Sequence, residues 1–322
     1  MPAGPAPVLS ITMPTRNRPA LFERALGSVI KATASVVEHI EITVSDGSDD
    51  DATGKVAERL LASWPGRHRY VWNRPGLALV DNLNRAIELA TGDWIQQLHD
   101  DDYLLPGAGA AMLEAVHRTG EDERVLLFGV KIVDSDGVAM RERSFRQERH
   151  LEPAEALRRL LSNSSFVRQP AMVVHRAGFE RFGLFDKSVG EATDTDMWVR
   201  LFSYYGVRCL PRTICAYTIH EGASTDGMWN PGTIRAVQEI FNRAVAMQLV
   251  PEPTIRRWQA DFVHQFILAG AYRRLRVRRM TEGRDVLRLF ELPEVRSLGV
   301  SPKWLPVRAA FIAVTAPARR RG

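Results

Sequence analysis

Cysteine is almost missing from this chain: there are two in 322 residues, Cys209 and Cys215, on either side of Pro211. Two thiols in a chain this long support neither a disulfide framework nor a thiolate zinc centre, so a reducing, cytoplasmic setting is expected. Long apolar runs are missing too. The best candidate, Trp304 to Ala316, is too short to cross a bilayer and contains Pro306 and Arg308. Met1 to Pro7 has neither a basic start nor an apolar centre, which predicts no secretory leader. No low-complexity tract or internal repeat is visible. Two phosphate-gripping patterns are also absent, Gly-x-Gly-x-x-Gly after the first strand and Gly-x-x-x-x-Gly-Lys-Ser/Thr. An α/β edge in this chain must hold a nucleotide by other means, or hold none.

What is present is ordinary in bulk: 45% hydrophobic residues, 25% charged, and a net charge of +5. The length suits one large domain with an appended part, or two domains. The positive excess is uneven. Arg273, Arg274, Arg276, Arg278, Arg279 and Arg284 crowd one region, and Arg319 to Arg321 follow near the C-terminus. Such a tail suits anionic partners, membrane headgroups or nucleic acid. No aromatic-interleaved platform accompanies the arginines, which argues against nucleic acid.

The first hundred residues read βαβαβαβ. Strands are predicted over Val8–Met13, Ile40–Val44, Arg69–Trp72 and Trp94–Leu98, separated by amphipathic helical spacing (Leu21, Ala25, Leu26, Val29; then Val80, Leu83, Ile87). This order predicts a mainly parallel sheet with helices on both faces, and ligands at the carboxyl ends of its strands. The loops leaving the first, second and fourth strands hold the unusual polar residues: Thr15 and Arg16, Asp46, and Asp100 with Asp101. All of them should meet at one edge. The densest is His99-Asp100-Asp101-Asp102, just after an interior strand. Clustered carboxylates raise one another's pKa unless a cation sits among them, and oxygen ligands favour Mg²⁺ or Mn²⁺. The plainer reading is a solvated acidic loop.

Further on, a strand is expected over Val125–Val133 and a hairpin turn over Asp134–Gly137, then a charged loop from Arg141 to Pro153. A helix over Ala154–Leu161 and a strand over Ala171–Val174 follow. Asp194 to Leu201 opens a helix on an acidic first turn, and Val207 to Tyr217 reads as a strand pair around Pro211. From Thr233 the spacing is helical, which predicts a C-terminal helical appendage.

The order Pro-Thr-Arg-Asn-Arg (14–18), Ser-Asp-Gly-Ser (45–48), Asn-Leu-Asn-Arg-Ala-Ile (82–87), Gly-Asp-Trp-Ile (92–95), Leu-His-Asp-Asp-Asp (98–102), Asp-Thr-Asp-Met-Trp-Val-Arg-Leu (194–201) and His220 resembles family 2 glycosyltransferases of the GT-A fold. The resemblance covers residues 8 to about 225. It implies a Rossmann-like nucleotide-diphospho-sugar transferase fold, with a catalytic domain over 1–225 (a nucleotide-sugar half to about 105, an acceptor half beyond) and a helical region over 226–322. By the same resemblance, Pro14, Thr15 and Arg16 line the nucleotide pocket, with Asn82 or Asn84 at ribose or phosphate. Asp46 accepts from a ring N–H of the base; uracil or thymine is favoured, and guanine offers a ring N–H too. In the plainer reading Asp46 caps the next helix.

Asp100 is implied near the ribose, and Asp101 with His220 as ligands of Mn²⁺ or Mg²⁺. His99 stands where many relatives have Asp. Asp194 matches the catalytic base, with Asp196 as the fallback because Thr193 replaces a second acid common there. Gln169 and Trp198 fall on the acceptor side, Trp198 and Arg200 also reading as packing and an ion pair. The implied activity is inverting transfer from a nucleotide-diphosphate sugar to a hydroxyl of a glycan or lipid-linked acceptor. A binding module without turnover, or a nucleotidyltransferase, are the competing readings. The first is disfavoured by the acids retained, the second by a glycine-free Pro14–Pro19 loop. The basic C-terminus, with Trp304, Leu305, Phe311 and Ile312, is expected to rest on the inner face of an anionic membrane, or to form a homodimer.

Overall fold

A computed structural model describes residues 8–163, 165–219 and 227–315. The chain begins β1 (Leu9–Thr15), α1 (Pro19–Thr33), β2 (Ile40–Asp46), α2 (Ala52–Leu61), β3 (Arg67–Trp72), α3 (Leu79–Leu89) and β4 (Trp94–Gln97). It continues with β5 (Tyr103–Leu104), α4 (Ala108–His117), β6 (Val125–Asp134), β7 (Ala139–Arg143), β8 (Arg149–Leu151) and α5 (Pro153–Leu161). Then come β9 (Met172–His175), α6 (Arg176–Phe182), α7 (Thr193–Tyr205) and β10 (Val207–Ile219). The last helices are α8 (Pro231–Ala246), α9 (Glu252–Arg276), α10 (Met280–Leu287), α11 (Pro293–Arg296) and α12 (Leu305–Thr315).

The chain divides into two units. One comprises residues 1–153, 167–187 and 204–221; the other comprises 154–166, 188–203 and 222–322. Two segments ahead of position 225, one of them carrying most of α7, therefore pack with the C-terminal helices.

In the first unit the strands form one sheet in the order β3-β2-β1-β4-β9-β6-β10-β5, with β7 on β6 and β8 on β10. β1 runs parallel to both β2 and β4, and β2 parallel to β3. β9 is antiparallel to β4 and β6, so β6 and the parallel β10 run in the direction of β4. All seven residues of β1 and of β2 are buried, as expected of strands covered on both faces. The amino-terminal edge is pinned by Glu41, whose carboxylate accepts from Ser10 Oγ (2.6 Å), Thr91 N (2.7 Å) and Thr91 Oγ1 (2.9 Å). Gly92 N donates to the same Ser10 hydroxyl at 2.9 Å. A Cβ on Gly92 would stand 2.9 Å from the Ser10 backbone nitrogen, so a side chain there would push β1 off the turn that starts β4. The opposite, carboxyl edge is left for the loops.

Two expectations change. The strand pair around Pro211 is one 13-residue strand, β10, whose pairing with β6 shifts register between Cys209, Thr213 and Cys215. Proline offers no N–H to a ladder, and here a bulge carries exposed Pro211 past β6 without ending the strand. The charged stretch after Arg141 is not all loop. β7 closes a hairpin on β6 through the Asp134–Gly137 turn, and β8 pairs with the first three residues of β10. Asp134 Oδ1 accepts from the backbone N–H of Asp136 (3.1 Å) and Val138 (2.8 Å), the Asx geometry that favours such a turn.

The second unit is helical. Ile234, Val237 and Phe241 of α8 and Ile255, Phe262 and Val263 of α9 are buried, and the rings of Phe241 and Phe262 meet edge-on at 5.6 Å. The Trp229 ring lies so close to α9 that a Cβ at Gly270 would come within 2.2 Å of it. Its Nε1 donates to Phe266 O at 2.8 Å.

Candidate active site

Three loops meet at the carboxyl edge of the first unit, as their strand order requires. The parallel register sets Thr15 beside Asp46. Thr15 Oγ1 donates to Asp100 Oδ2 at 3.0 Å, joining the β1 and β4 ends, and Gly47 N donates to Thr15 O at 2.9 Å. Asn17 ties the first two loops, its N–H reaching Ser48 Oγ (2.8 Å) and its side-chain amide reaching Asp49 Oδ2 (2.7 Å). Pro14, Thr15, Asp46, Asn82 and Asp100 are all buried, whereas Arg16 is exposed, bonded to Leu77 O and paired with Asp49.

Asp46 has both oxygens engaged. Oδ1 accepts from Ser48 N at 2.7 Å and Oδ2 from the Tyr70 hydroxyl at 2.6 Å. Burial, and then this bond to a carboxylate, push the Tyr70 hydroxyl well above its ordinary range, so Tyr70 stays a donor. Asp46 therefore orders its own turn rather than α2, whose first backbone N–H, that of Ala52, bonds Asp50 Oδ1. Asn82 bridges two strand ends, accepting from Ser45 Oγ (2.7 Å) and donating to Thr15 O (2.9 Å). Asn84 exchanges two 2.9 Å bonds with the Phe185 backbone. Both asparagines hold loops in place.

The acids after β4 differ in their surroundings. Asp100 faces Thr15 and Arg18, and burial, followed by the neighbouring Asp101, raises its pKa. The Arg18 guanidinium stands between the two, its Nη1 3.4 Å from Asp100 Oδ1 and 3.3 Å from Asp101 Oδ2. Asp102 is 1% exposed. Its Oδ1 accepts from Thr218 N at 2.9 Å, near the end of β10, while Oδ2 has no hydrogen-bond partner. Burial first, and then Asp101, raise its pKa well above the usual carboxylate range. Arg24 closes the arrangement, donating to Asp101 O and, at 3.1 Å, to Thr218 Oγ1.

One potential ligand atom from each of His99, Asp101 and Asp102 lies within 4.8 Å of the others. Two orphaned buried atoms, His99 Nε2 and Asp102 Oδ2, belong to this group. Two carboxylates and one imidazole suit Mn²⁺ or Mg²⁺ better than a thiolate-seeking metal. The donor set therefore fits a divalent ion. It adds His99 and Asp102 to Asp101, while His220 lies outside the described residues. Sequence reasoning passed over Asp102 as one more residue of an acidic run; its burial against β10 is the distinguishing property, and that is a tertiary fact.

Gln169 Nε2 donates to Gln97 Oε1 at 3.2 Å, beside the last residue of β4. The remaining expected residues belong to the second unit. Asp194 opens α7, half-buried, its Oδ1 accepting from Thr195 N (2.6 Å) and Thr195 Oγ1 (3.2 Å). Asp196 is fully buried between Arg200 (Nε and Nη2 at 2.9 Å) and Arg243 (Nη1 at 2.8 Å). Both oxygens of Asp196 are thus taken up by guanidiniums away from solvent, the contacts of a carboxylate that anchors α7. Trp198 is 2% exposed and stacks on Phe202, so its ring serves packing rather than an acceptor surface.

The family model for Glycosyl transferase family 2 matches residues 10–183. An uncharacterized Mycobacterium tuberculosis protein is 30% identical over 220 residues, which is 65% of this chain and 66% of that protein. A Campylobacter jejuni GalNAc(5)-diNAcBac-PP-undecaprenol beta-1,3-glucosyltransferase is 25% identical over 61% of this chain and 60% of its own length. A PGL/p-HBAD biosynthesis glycosyltransferase of Mycobacterium bovis is 29% identical over 62% and 71%. The match thus spans about two thirds, or less, of the first two proteins. Among solved structures, Staphylococcus aureus TarS 1-349 in complex with UDP-GlcNAc aligns at TM-score 0.63 and 16% identity, over 95% of this chain and 87% of that one. The mannosyltransferase PcManGT from Pyrobaculum calidifontis, in complex with GDP-Man and Mn2+, aligns at 0.57 and 17%, over 96% and 86%. Sheet order, matched span and structural likeness agree: the chain belongs to glycosyl transferase family 2 and has its GT-A type of α/β fold.

Proposed function

We propose that this chain is an inverting, metal-dependent glycosyltransferase that moves a sugar from a nucleoside-diphosphate donor to a hydroxyl of a glycan or lipid-linked acceptor. The observation that carries the reading is the junction of the Thr15, Asp46 and Asp100–Asp102 loops at one sheet edge, with a ligand set suited to a divalent cation. His99, Asp101 and Asp102 would hold Mn²⁺ or Mg²⁺. Such an ion, when bound, neutralises charge on the two phosphates and on the departing nucleoside diphosphate.

The chain's own residues do the rest. Thr15 and Asp100 line the ribose and phosphate side. Asp46 keeps one lone pair on each oxygen beyond those facing Ser48 and Tyr70, which suits a ring N–H of uracil or thymine. Asp194 takes the proton from the acceptor hydroxyl as it attacks, in a single displacement that inverts the anomeric centre. Gln169, beside the end of β4, is assigned to the acceptor side. The relatives named for undecaprenol-linked and PGL/p-HBAD products favour an acceptor in cell-envelope glycolipid or polysaccharide synthesis, met at the cytoplasmic face of the membrane.

The test is a thermal-shift panel of UDP, dTDP and GDP with and without Mn²⁺. Saturation at a hundredfold excess over Kd corresponds to about 2.7 kcal/mol of stabilisation. Asp101→Asn should lose the metal-dependent part. Asp194→Asn should bind donor as the wild type does, yet lose transfer by about a hundredfold or more. Metal-dependent stabilisation that survives in Asp101→Asn would remove the acids from the donor site.

A further inference from the structure

Large apolar side chains are distributed unevenly over the surface. Of the thirteen exposed ones among the described residues, eight lie between Tyr272 and Val314, all in the second unit. The centre of this patch is α12, read Leu-Pro-Val-Arg-Ala-Ala-Phe-Ile-Ala-Val-Thr. Its only buried residue is Thr315, while Leu305, Ile312 and Val314 are 46%, 50% and 62% exposed. An eleven-residue helix with one charged side chain and so little cover lacks the polar outer face of a surface helix.

The patch continues onto α9 and α10. Tyr272, near the end of α9, stacks on Phe311 of α12 with centroids 6.5 Å apart and planes 12° from parallel. Arg284 of α10 donates to Thr315 O at 2.9 Å, closing the end of α12 with a cation. Between α9 and α10 lies the exposed run Arg276-Val277-Arg278-Arg279-Met280, where apolar and cationic side chains alternate at the surface. Over residues 271–315 there are ten Lys and Arg against four Asp and Glu. Some of these cations shield apolar surface: Arg308 lies 4.1 Å over the Phe290 ring, and Lys303 5.1 Å over Trp304.

An uncovered apolar helix bordered by a cation excess has the chemistry of an interfacial segment. We propose that α12 and the α9–α10 turn form a docking face for an anionic lipid surface, with α12 lying in the plane of the headgroups and the arginines on lipid phosphates. At 1.5 Å per residue α12 is about 16 Å long, roughly half of a hydrocarbon core, so it rests in the interface and does not span it. No described helix is long and apolar enough to cross a membrane. Charge decides between a lipid surface and a second copy of this chain, since a like-charged face would have to pair with itself. Trp304 and Phe311 are half-buried and support the face from behind; Leu305, Val307, Ile312 and Val314 are its contact side chains.

The inference stands on the second unit alone and needs neither donor nor metal. The test is sedimentation of the full chain with sucrose-loaded vesicles, either phosphatidylcholine alone or phosphatidylcholine with 30% phosphatidylglycerol. Binding is expected to the anionic vesicles only, and to weaken at least tenfold between 50 and 500 mM NaCl. Leu305→Glu/Ile312→Glu should lower partitioning at least tenfold, and so should Arg278→Glu/Arg279→Glu. Both variants should keep the wild-type circular dichroism and melting temperature, because these side chains are exposed. Equal partitioning onto both vesicle types, or none onto either, would overturn the proposal. So would a concentration-dependent dimer by light scattering that Leu305→Glu/Ile312→Glu dissolves while anionic vesicles leave the wild type unbound.

Discussion

Replacing Asp196 by alanine tests the distinction between the two acids that open α7. The Asp196 carboxylate is 0% exposed and accepts from Arg200 twice at 2.9 Å and from Arg243 at 2.8 Å. The Arg200 and Arg243 side chains are 16% and 30% exposed. Removing one partner of a buried ion pair typically costs about 3–5 kcal/mol, because the opposite charge loses its counter-ion inside the protein. Water still reaches both guanidiniums, which places the expected loss at the lower end, near 3 kcal/mol. For a chain of this size that lowers Tm by about 4–5 °C. A double-mutant cycle with Arg243→Met, read by urea unfolding, should return a coupling of at least about 1 kcal/mol. Asp194→Asn should change stability by less than about 1 kcal/mol, since its Oδ1 serves its own turn. An Asp196→Ala protein that melts like the wild type but has lost transfer would refute the reasoning and give Asp196 the chemical role.

Arg18 sits on Asp100 and Asp101 as an internal cation, so a divalent ion held as proposed would compete with it for Asp101 Oδ2. Arg18→Gln is expected to tighten binding of Mn²⁺ alone by roughly three- to tenfold, the equivalent of about 0.7–1.4 kcal/mol; Mn²⁺ electron paramagnetic resonance titration reads this directly, and unchanged or weaker binding would exclude competition. His264 is 1% exposed, with Nδ1 2.7 Å from Ala260 O and Nε2 unpartnered, and burial lowers its pKa below 6.5. The unfolded chain thus takes up this proton first as pH falls. Stability conferred by neutral His264 is whole above pH 6.5 and declines below it, with a slope approaching 1.4 kcal/mol per pH unit. His264→Gln should flatten that part of the acid limb, seen as Tm against pH from 7.5 to 4.5. A limb of unchanged slope would mean that other groups cause it.

The nucleotide-side architecture was legible because its signals are local. β1, β2 and β4 are short apolar runs followed at once by Thr15, Asp46 and Asp100, and parallel order alone carries those ends to one edge. The second half was less legible because its signals depend on neighbours. Pro211 marks a turn in an isolated sequence, yet pairing of β6 on both sides of it holds β10 as one strand. The charged residues after Arg141 look like loop, but β8 gains backbone partners only because Val207 to Cys209 lies alongside.

The acids, too, depend on neighbours distant in the sequence. Asp46, Asp101, Asp102 and Asp196 are one residue type in similar local company, and each is defined by a group distant in the sequence. Asp46 is held by Tyr70, Asp101 by Arg18, Asp102 by the Thr218 backbone and Asp196 by Arg243. Two cations enclose Asp196 and take up both of its oxygens. Asp102 has one backbone donor and an empty second oxygen, an arrangement stable only if a proton or a cation supplies the missing partner. Motif order located these residues, but burial and partners separate a carboxylate with both oxygens engaged from one with an oxygen to spare.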